Sequence, residues 1–152
     1  MSLDQSIIKE EHSVGALMPY IKYYLPKAKV IPIILRATTA EMEMSLLIDG
    51  IGSLLSDEKT IIIASVDFSH YLDSNKAQKN DKITQQKIEN SDYNALLRMN
   101  NDYLDSPKSL VALLTLMDRD KRKYKILNNT NSGQLFNENS TLVTSYFTII
   151  YY

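Results

Sequence analysis

The stretch TIIIASVDFSHYLDS, residues 60–74, decides how the chain is read. From Thr60 to Val66 it is almost wholly apolar and rich in isoleucine, the pattern of a strand covered on both faces. It then breaks into Asp67, Phe68, Ser69 and His70, in a sequence with only one other histidine, His12. In open α/β sheets ligands bind beyond the carboxyl ends of strands, where Asp67 and His70 fall. A carboxylate close to an imidazole can fix its tautomer, which suits a general acid–base. The same residues also fit a plainer account: Asp67 caps a turn, and His70 is a surface or hydrogen-bonded histidine.

Before this stretch, Val14, Leu17, Met18, Ile21 and Leu25 have helical spacing, with Pro19 either kinking that helix or starting it. KVIPIILR, residues 29–36, reads as a strand whose Pro32 suggests an edge. Thr38 and Glu41 match a capping box. The helix that follows gathers Met44, Leu47, Ile51, Leu54 and Leu55 on one face, weakened by Gly50 and Gly52 at roughly 1 kcal/mol each.

After it come a polar helix over about 75–89 and a short one around Tyr93, Leu96 and Leu97. Ser106 and Pro107 read as the N-cap and first position of a further helix. That helix, KSLVALLTLM, is apolar nearly all round and should be buried. YKILNNT and TLVTSYFTIIYY are two final strands. Strands alternating with helices predict an α/β protein with a mostly parallel or mixed sheet and helices on both faces, a layered α/β/α arrangement. The 152 residues read as a single domain.

Composition removes several function classes. The absence of cysteine excludes disulfides and thiolate metal sites. A formal charge of −1 gives no long-range pull towards nucleic acid or an anionic membrane. No apolar run approaches the roughly 20 residues that span a bilayer, and no signal peptide is visible, so the reading is cytoplasmic. Four glycines and no Gly-x-Gly-x-x-Gly or P-loop pattern argue against a nucleotide held by a Gly-rich turn. Asn128 and Asn139 match an acceptor pattern for glycosylation by chance. Ser69 lacks a Gly-x-Ser-x-Gly elbow, and the basic run RDKRK lacks the aromatic platforms of a single-strand binder.

Two further positions could carry chemistry. Glu11 and His12 stand at the start of the first helix, where the neutral imidazole that binds metal is favoured; a capping role fits equally. Asp105 precedes the N-cap of the buried helix, where the dipole alone favours a carboxylate. Two histidines and a carboxylate could form an iron triad, yet His12 and His70 lie far apart in sequence. Tyr20, Tyr23 and Tyr24, and Tyr146, Tyr151 and Tyr152, would finish a core or an interface. A terminal strand at a sheet edge would offer a homodimer contact.

Three segments then act together. EEHSVGALMPYIKYYLPKAKVIPIIL (10–35), ASVDFSHYLDSNKA (64–77) and NNTNSGQLFNENSTLVTSYFTIIYY (128–152) resemble, in order and spacing, the second half of the Memo-like family, known in bacteria as AmmeMemoRadiSam system protein B. Glu11-His12-Ser13 and Ser65-x-Asp67-Phe68-Ser69-His70 are the specific parts. That family resembles the class III extradiol dioxygenases, which use non-haem iron on an α/β fold. The resemblance implies that His70 is an acid–base residue with Asp67 beside it, and that His12 and Asp105 are metal ligands. Asp105-Ser106 stands where many members have a Cys-Gly pair.

The family's two other metal-binding histidines belong to an N-terminal half outside this sequence. The expectation is therefore the C-terminal part of a Memo-like domain, opened by a Met1-Ser2-Leu3 that looks like an expression scar; a naturally shortened, inactive relative is the alternative. The implied function is part of a metal-dependent redox enzyme, with iron or copper bound if the further ligands are supplied. The other reading is a non-catalytic peptide- or protein-binding module. The small-molecule or peptide ligand is unidentified in either case.

Overall fold

The computed structural model describes residues 11–55, 59–136 and 142–152. The chain divides between Arg36 and Ala37 into two compact units.

In the first unit, Glu11 caps a short helix, α1 (His12–Gly15): its Oε1 accepts the Ser13 N–H at 2.9 Å. A second helix, α2 (Met18–Tyr24), carries Pro19 in its first turn, where a missing N–H costs no helical bond. Of the two expectations for Pro19, a kink or a helix start, the second is found: α1 ends at Gly15 and α2 starts at Met18, beside the proline. Tyr20, Tyr23 and Tyr24 are exposed rather than folded into a core. Residues 29–36, expected as a strand, form no ladder, and Val30, Ile31, Ile33 and Ile34 are exposed. Pro32 has no N–H to give to one.

The second unit holds α3 (Glu41–Leu55), β1 (His70–Leu72), α4 (Ser74–Glu89), α5 (Tyr93–Leu97), α6 (Pro107–Arg119), β2 (Tyr124–Asn131), α7 (Ser132–Phe136) and β3 (Val143–Tyr151). The Ala40 N–H donates to Glu43 Oε2 at 2.9 Å, so the back-bond of a capping box sits two residues later than Thr38 and Glu41 would put it. Asp73 and Asp92 cap α4 and α5 by accepting the N–H groups of Lys76 and Ala95. Ser106 is the N-cap of α6, with Pro107 in the first turn, but its hydroxyl pairs with that of Ser109 instead of capping.

The protein is α/β in class, as its pattern predicts. Its three described strands lie in the order β1-β3-β2 and pair antiparallel, where a mostly parallel or mixed sheet was expected. Two physical facts account for the difference. β2 and β3 are joined by residues 132–142, too short a connection for a parallel crossover. The run 60–66, read as the best strand, makes no ladder among the described residues; ladder bonding begins only at Phe68. Exposure alternates along that run as in an extended chain, leaving Ile61 70% and Ile63 57% exposed. Among the described strands the C-terminal strand β3 is central, where an edge position was considered.

The core of this unit is made by Phe68, Ile88, Leu96, Leu104, Leu110, Val111 and Leu114, against which Phe147 and Ile149 of β3 pack. α6 buries Leu110, Val111, Ala112, Leu114, Leu116 and Met117, the all-round burial its sequence predicts. A smaller cluster, Leu72, Ala77 and Val143, seats α4 against the end of the sheet.

Leu104 is fully buried and Leu46 is exposed. Leu104→Ala should therefore lower unfolding stability by about 2–5 kcal/mol, and Leu46→Ala by less than about 0.5 kcal/mol. Urea denaturation of the two variants checks the contrast; equal losses would place the core elsewhere.

Candidate functional site

Between Asp67 and Leu72 the chain is irregular at two successive points. The Phe68 N–H donates to Ser145 O at 3.1 Å, while the Ser145 N–H donates to Ser69 O at 2.7 Å. Two residues thus oppose one, the arrangement of a β-bulge. The register then shifts again between His70, opposite Thr144, and Leu72, opposite Val143. Tyr71, at the shift, has φ 57°, a left-handed conformation that costs a bulky residue energy and needs surrounding structure to hold it. Bulges re-aim side chains, and here they turn His70 out of the strand alternation.

The His70 ring is half-buried and faces that of Tyr71 edge-on, with centroids 5.2 Å apart. Its Nδ1 lies 2.7 Å from Phe68 O. A carbonyl can only accept, so Nδ1 carries the proton and Nε2 is left with its lone pair. Asp67 and Asp105 lie beside it. The Asp67 N–H donates to Asp105 Oδ1 at 3.2 Å, and the Asp105 N–H donates to Asp67 O at 3.1 Å. This reciprocal pair ties the residue before the bulge to the residue before the N-cap of α6.

Asp105 keeps contact with solvent, yet enough protein surrounds its carboxyl for burial to raise its pKa. The neighbouring Asp67 charge raises it further; His70 and the N–H groups of Asp67 and Ser106 oppose the shift. Of the four residues singled out in the sequence, Asp67, His70 and Asp105 are brought together. His12 belongs to the first unit, exposed at the start of α1, where the Glu11 beside it is the capping residue; the Ser13 bonds are the main reason Glu11 has a lowered pKa. Among the described residues no three or more His, Asp or Glu side chains are placed to hold a metal ion.

A residue that sequence reading passed over anchors the bulge. Asp81 of α4 is 2% exposed. Its Oδ1 accepts the hydroxyls of Ser69 at 2.8 Å and Ser145 at 2.7 Å, and its Oδ2 accepts Asn129 Nδ2 at 2.8 Å. The available signal was spacing rather than hydropathy. Ala77, Asn80, Asp81, Thr84 and Ile88 recur at helical intervals and form the buried stripe of α4, but three of the five are polar. The described cavity, about 190 Å³, lies beside Asp81 and is lined by Gln78, Lys82, Asn129, Thr130 and Gln134; His70 does not line it.

The fold and site define an α/β protein with one oriented histidine and two aspartates at a bulged strand edge. The chain matches the family model described as Memo-like protein over residues 1–150, and it belongs to that family. A MEMO1 family protein of Metallosphaera sedula is 24% identical over 149 residues, covering 94% of this chain and 52% of the relative. One of Sulfurisphaera tokodaii is 25% identical over 150 residues with the same two coverages. One of Methanobrevibacter smithii is 32% identical over 98 residues, 63% of this chain and 34% of the relative. The chain thus spans about half the length of the curated relatives it matches across most of its own length. No helix among the described residues is long and apolar enough to cross a membrane.

The raised pKa of Asp105 has a definite consequence for stability. Between the ordinary aspartate value of 3.8 and the raised one, the folded chain binds more protons than the unfolded chain. Stability contributed by protonated Asp105 is full below that window and is lost as pH rises through it. Asp105→Asn keeps an Oδ1 acceptor for the Asp67 N–H and should flatten this part of the pH–stability curve, as followed by urea denaturation from pH 3 upward. An unchanged slope would mean that the carboxyl is not held as described.

Proposed function

We propose that this chain supplies the acid–base part of a dioxygenase-related, metal-dependent redox site, with His70 as the proton-transferring group and Asp67 and Asp105 as its flanking carboxylates. The observation that carries this reading is the Nδ1 bond to Phe68 O. In the neutral ring it leaves the Nε2 lone pair to take a proton from a substrate or return one, and general bases contribute through such positioned transfers. Two carboxylates nearby would stabilise the imidazolium that forms. Iron or copper would supply electron transfer and Lewis acidity, but the described donors of this chain do not fit a complete metal site. Further ligands would have to be supplied from outside the described residues of the second unit, where Asp105 is the candidate contributor. On the same reading the two units are parts of one domain.

A second reading, a non-catalytic peptide- or protein-binding module, rests on a separate observation. Tyr20, Tyr23 and Tyr24 of α2 are all exposed, and exposed tyrosines are common anchors at protein interfaces.

Elemental analysis and copper(II) titration separate the two readings. The chain purified without chelator should hold well under one iron or copper per chain, and added copper should broaden the NMR signals of Asp67, His70 and Asp105 before those of other surface residues. His70→Ala should abolish this selectivity. Stoichiometric metal that survives His70→Ala, or no preferential broadening at the three residues, would contradict the acid–base reading and favour the module.

A further inference from the structure

We infer that Asp81, which does not touch His70, is a positioning residue for it. The inference deepens the acid–base reading given above and rests on it for its catalytic meaning, though not for its structural content. His70 is oriented by one atom, the carbonyl oxygen of Phe68. Where that oxygen points depends on the bulge, because Phe68 and Ser69 together oppose Ser145.

Backbone bonds hold the bulge on one side, and Asp81 holds it on the other. A single oxygen, Oδ1, receives both the Ser69 and the Ser145 hydroxyls, one from each strand of the bulged pair. All four residues from Ser69 through Asp81 and Ser145 to Asn129 are linked through this carboxylate, and Ser69, Asp81 and Ser145 are buried. The Ser69 hydroxyl also reaches Ala77 O at 3.4 Å, so the same side chain fastens the bulge to the start of α4.

The chemistry of the contacts supports a geometric role. An ionised carboxylate is acceptor-only, and its three partners here are all donors. Hydrogen bonds to a charged acceptor are shorter and more directional than neutral ones. Replacing Asp81 by alanine removes both oxygens, so neither the Ser69 nor the Ser145 hydroxyl keeps its acceptor. With the bulge released, the Phe68 carbonyl no longer fixes Nδ1–H, and the imidazole exchanges between both tautomers.

The test reads the His70 tautomer directly. Long-range proton–nitrogen NMR on ¹⁵N-labelled protein, near pH 8 so that an ordinary imidazole is neutral, distinguishes a protonated Nδ1 from a protonated Nε2. The sequence has two histidines, so His70→Ala assigns the signals. The natural chain should show His70 as the Nδ1–H form. Asp81→Ala and Ser69→Ala should both lose that single form and give averaged ring-nitrogen shifts. Asn129→Ala, which removes the Oδ2 contact on the side away from the bulge, should keep it.

If Asp81→Ala does not fold, the Ser69→Ala and Asn129→Ala pair still decides. Ser69→Ala with the original tautomer would overturn the inference. So would Asn129→Ala with the same loss, since that would make the network a general support rather than a positioning device. The readout needs neither substrate nor metal, so failure of the acid–base reading would leave it standing.

Discussion

A carboxylate sits in the interior of this protein without a cation. None of the described ion pairs involves Asp81, and its charge is met by two hydroxyls and an amide. Burying an ionised group costs several kcal/mol even after relaxation, while each hydrogen bond to such a group contributes about 1.5–3 kcal/mol. A buried carboxylate is tolerated only where its oxygens keep their donors. The consequence of the network is geometric. It requires α4, the bulge, β2 and β3 to meet in one arrangement, because any other leaves a charge or a donor unmet. No described buried side-chain polar atom lacks a partner.

The candidate site follows from that requirement. The bulge forces two residues opposite one, Tyr71 takes a left-handed conformation to rejoin the ladder, and His70 turns out of the strand with its ring fastened to Phe68 O. Phe68 itself is buried and packs against Phe147 with centroids 4.5 Å apart. The atom that orients His70 therefore belongs to a residue whose ring is buried in the core. Asp105 reaches the same place from the other direction, as the residue before the N-cap of a helix whose buried face is almost continuous. A buried helix and a buried carboxylate converge on one imidazole.

Much of this was legible in the sequence where a single physical signal dominated. The helices α4, α5 and α6, the Ser106-Pro107 start and the two C-terminal strands follow from capping residues and periodicity. The association of Asp67, His70 and Asp105 was legible through motif resemblance. The runs 29–36 and 60–66 misled because apolar β-branched composition reports a preference for extended structure, whereas a strand also needs a partner. Asp81 was hidden for the opposite reason: a polar residue on a polar helix gives no hydropathy signal of burial. What buries it is the set of donors at Ser69, Asn129 and Ser145, up to 64 positions away in sequence, and no local pattern contains them. The central place of β3 was equally invisible, since an apolar terminal strand reads the same at an edge or in the middle.

Native-state amide hydrogen exchange tests this account most directly, because it reads where ladder bonding starts and how firmly the bulge is held. The amides of Phe68 and Ser145 should exchange only as slowly as the core of α6 at Leu114, through global unfolding, while those of residues 61–66 exchange early. If 61–66 are protected to the same degree as Phe68, the ladder continues through them and the sheet is the larger one that the sequence suggested. If Phe68 and Ser145 exchange as early as 61–66, the carboxylate of Asp81 does not hold the bulge, and the orientation of His70 loses its structural basis.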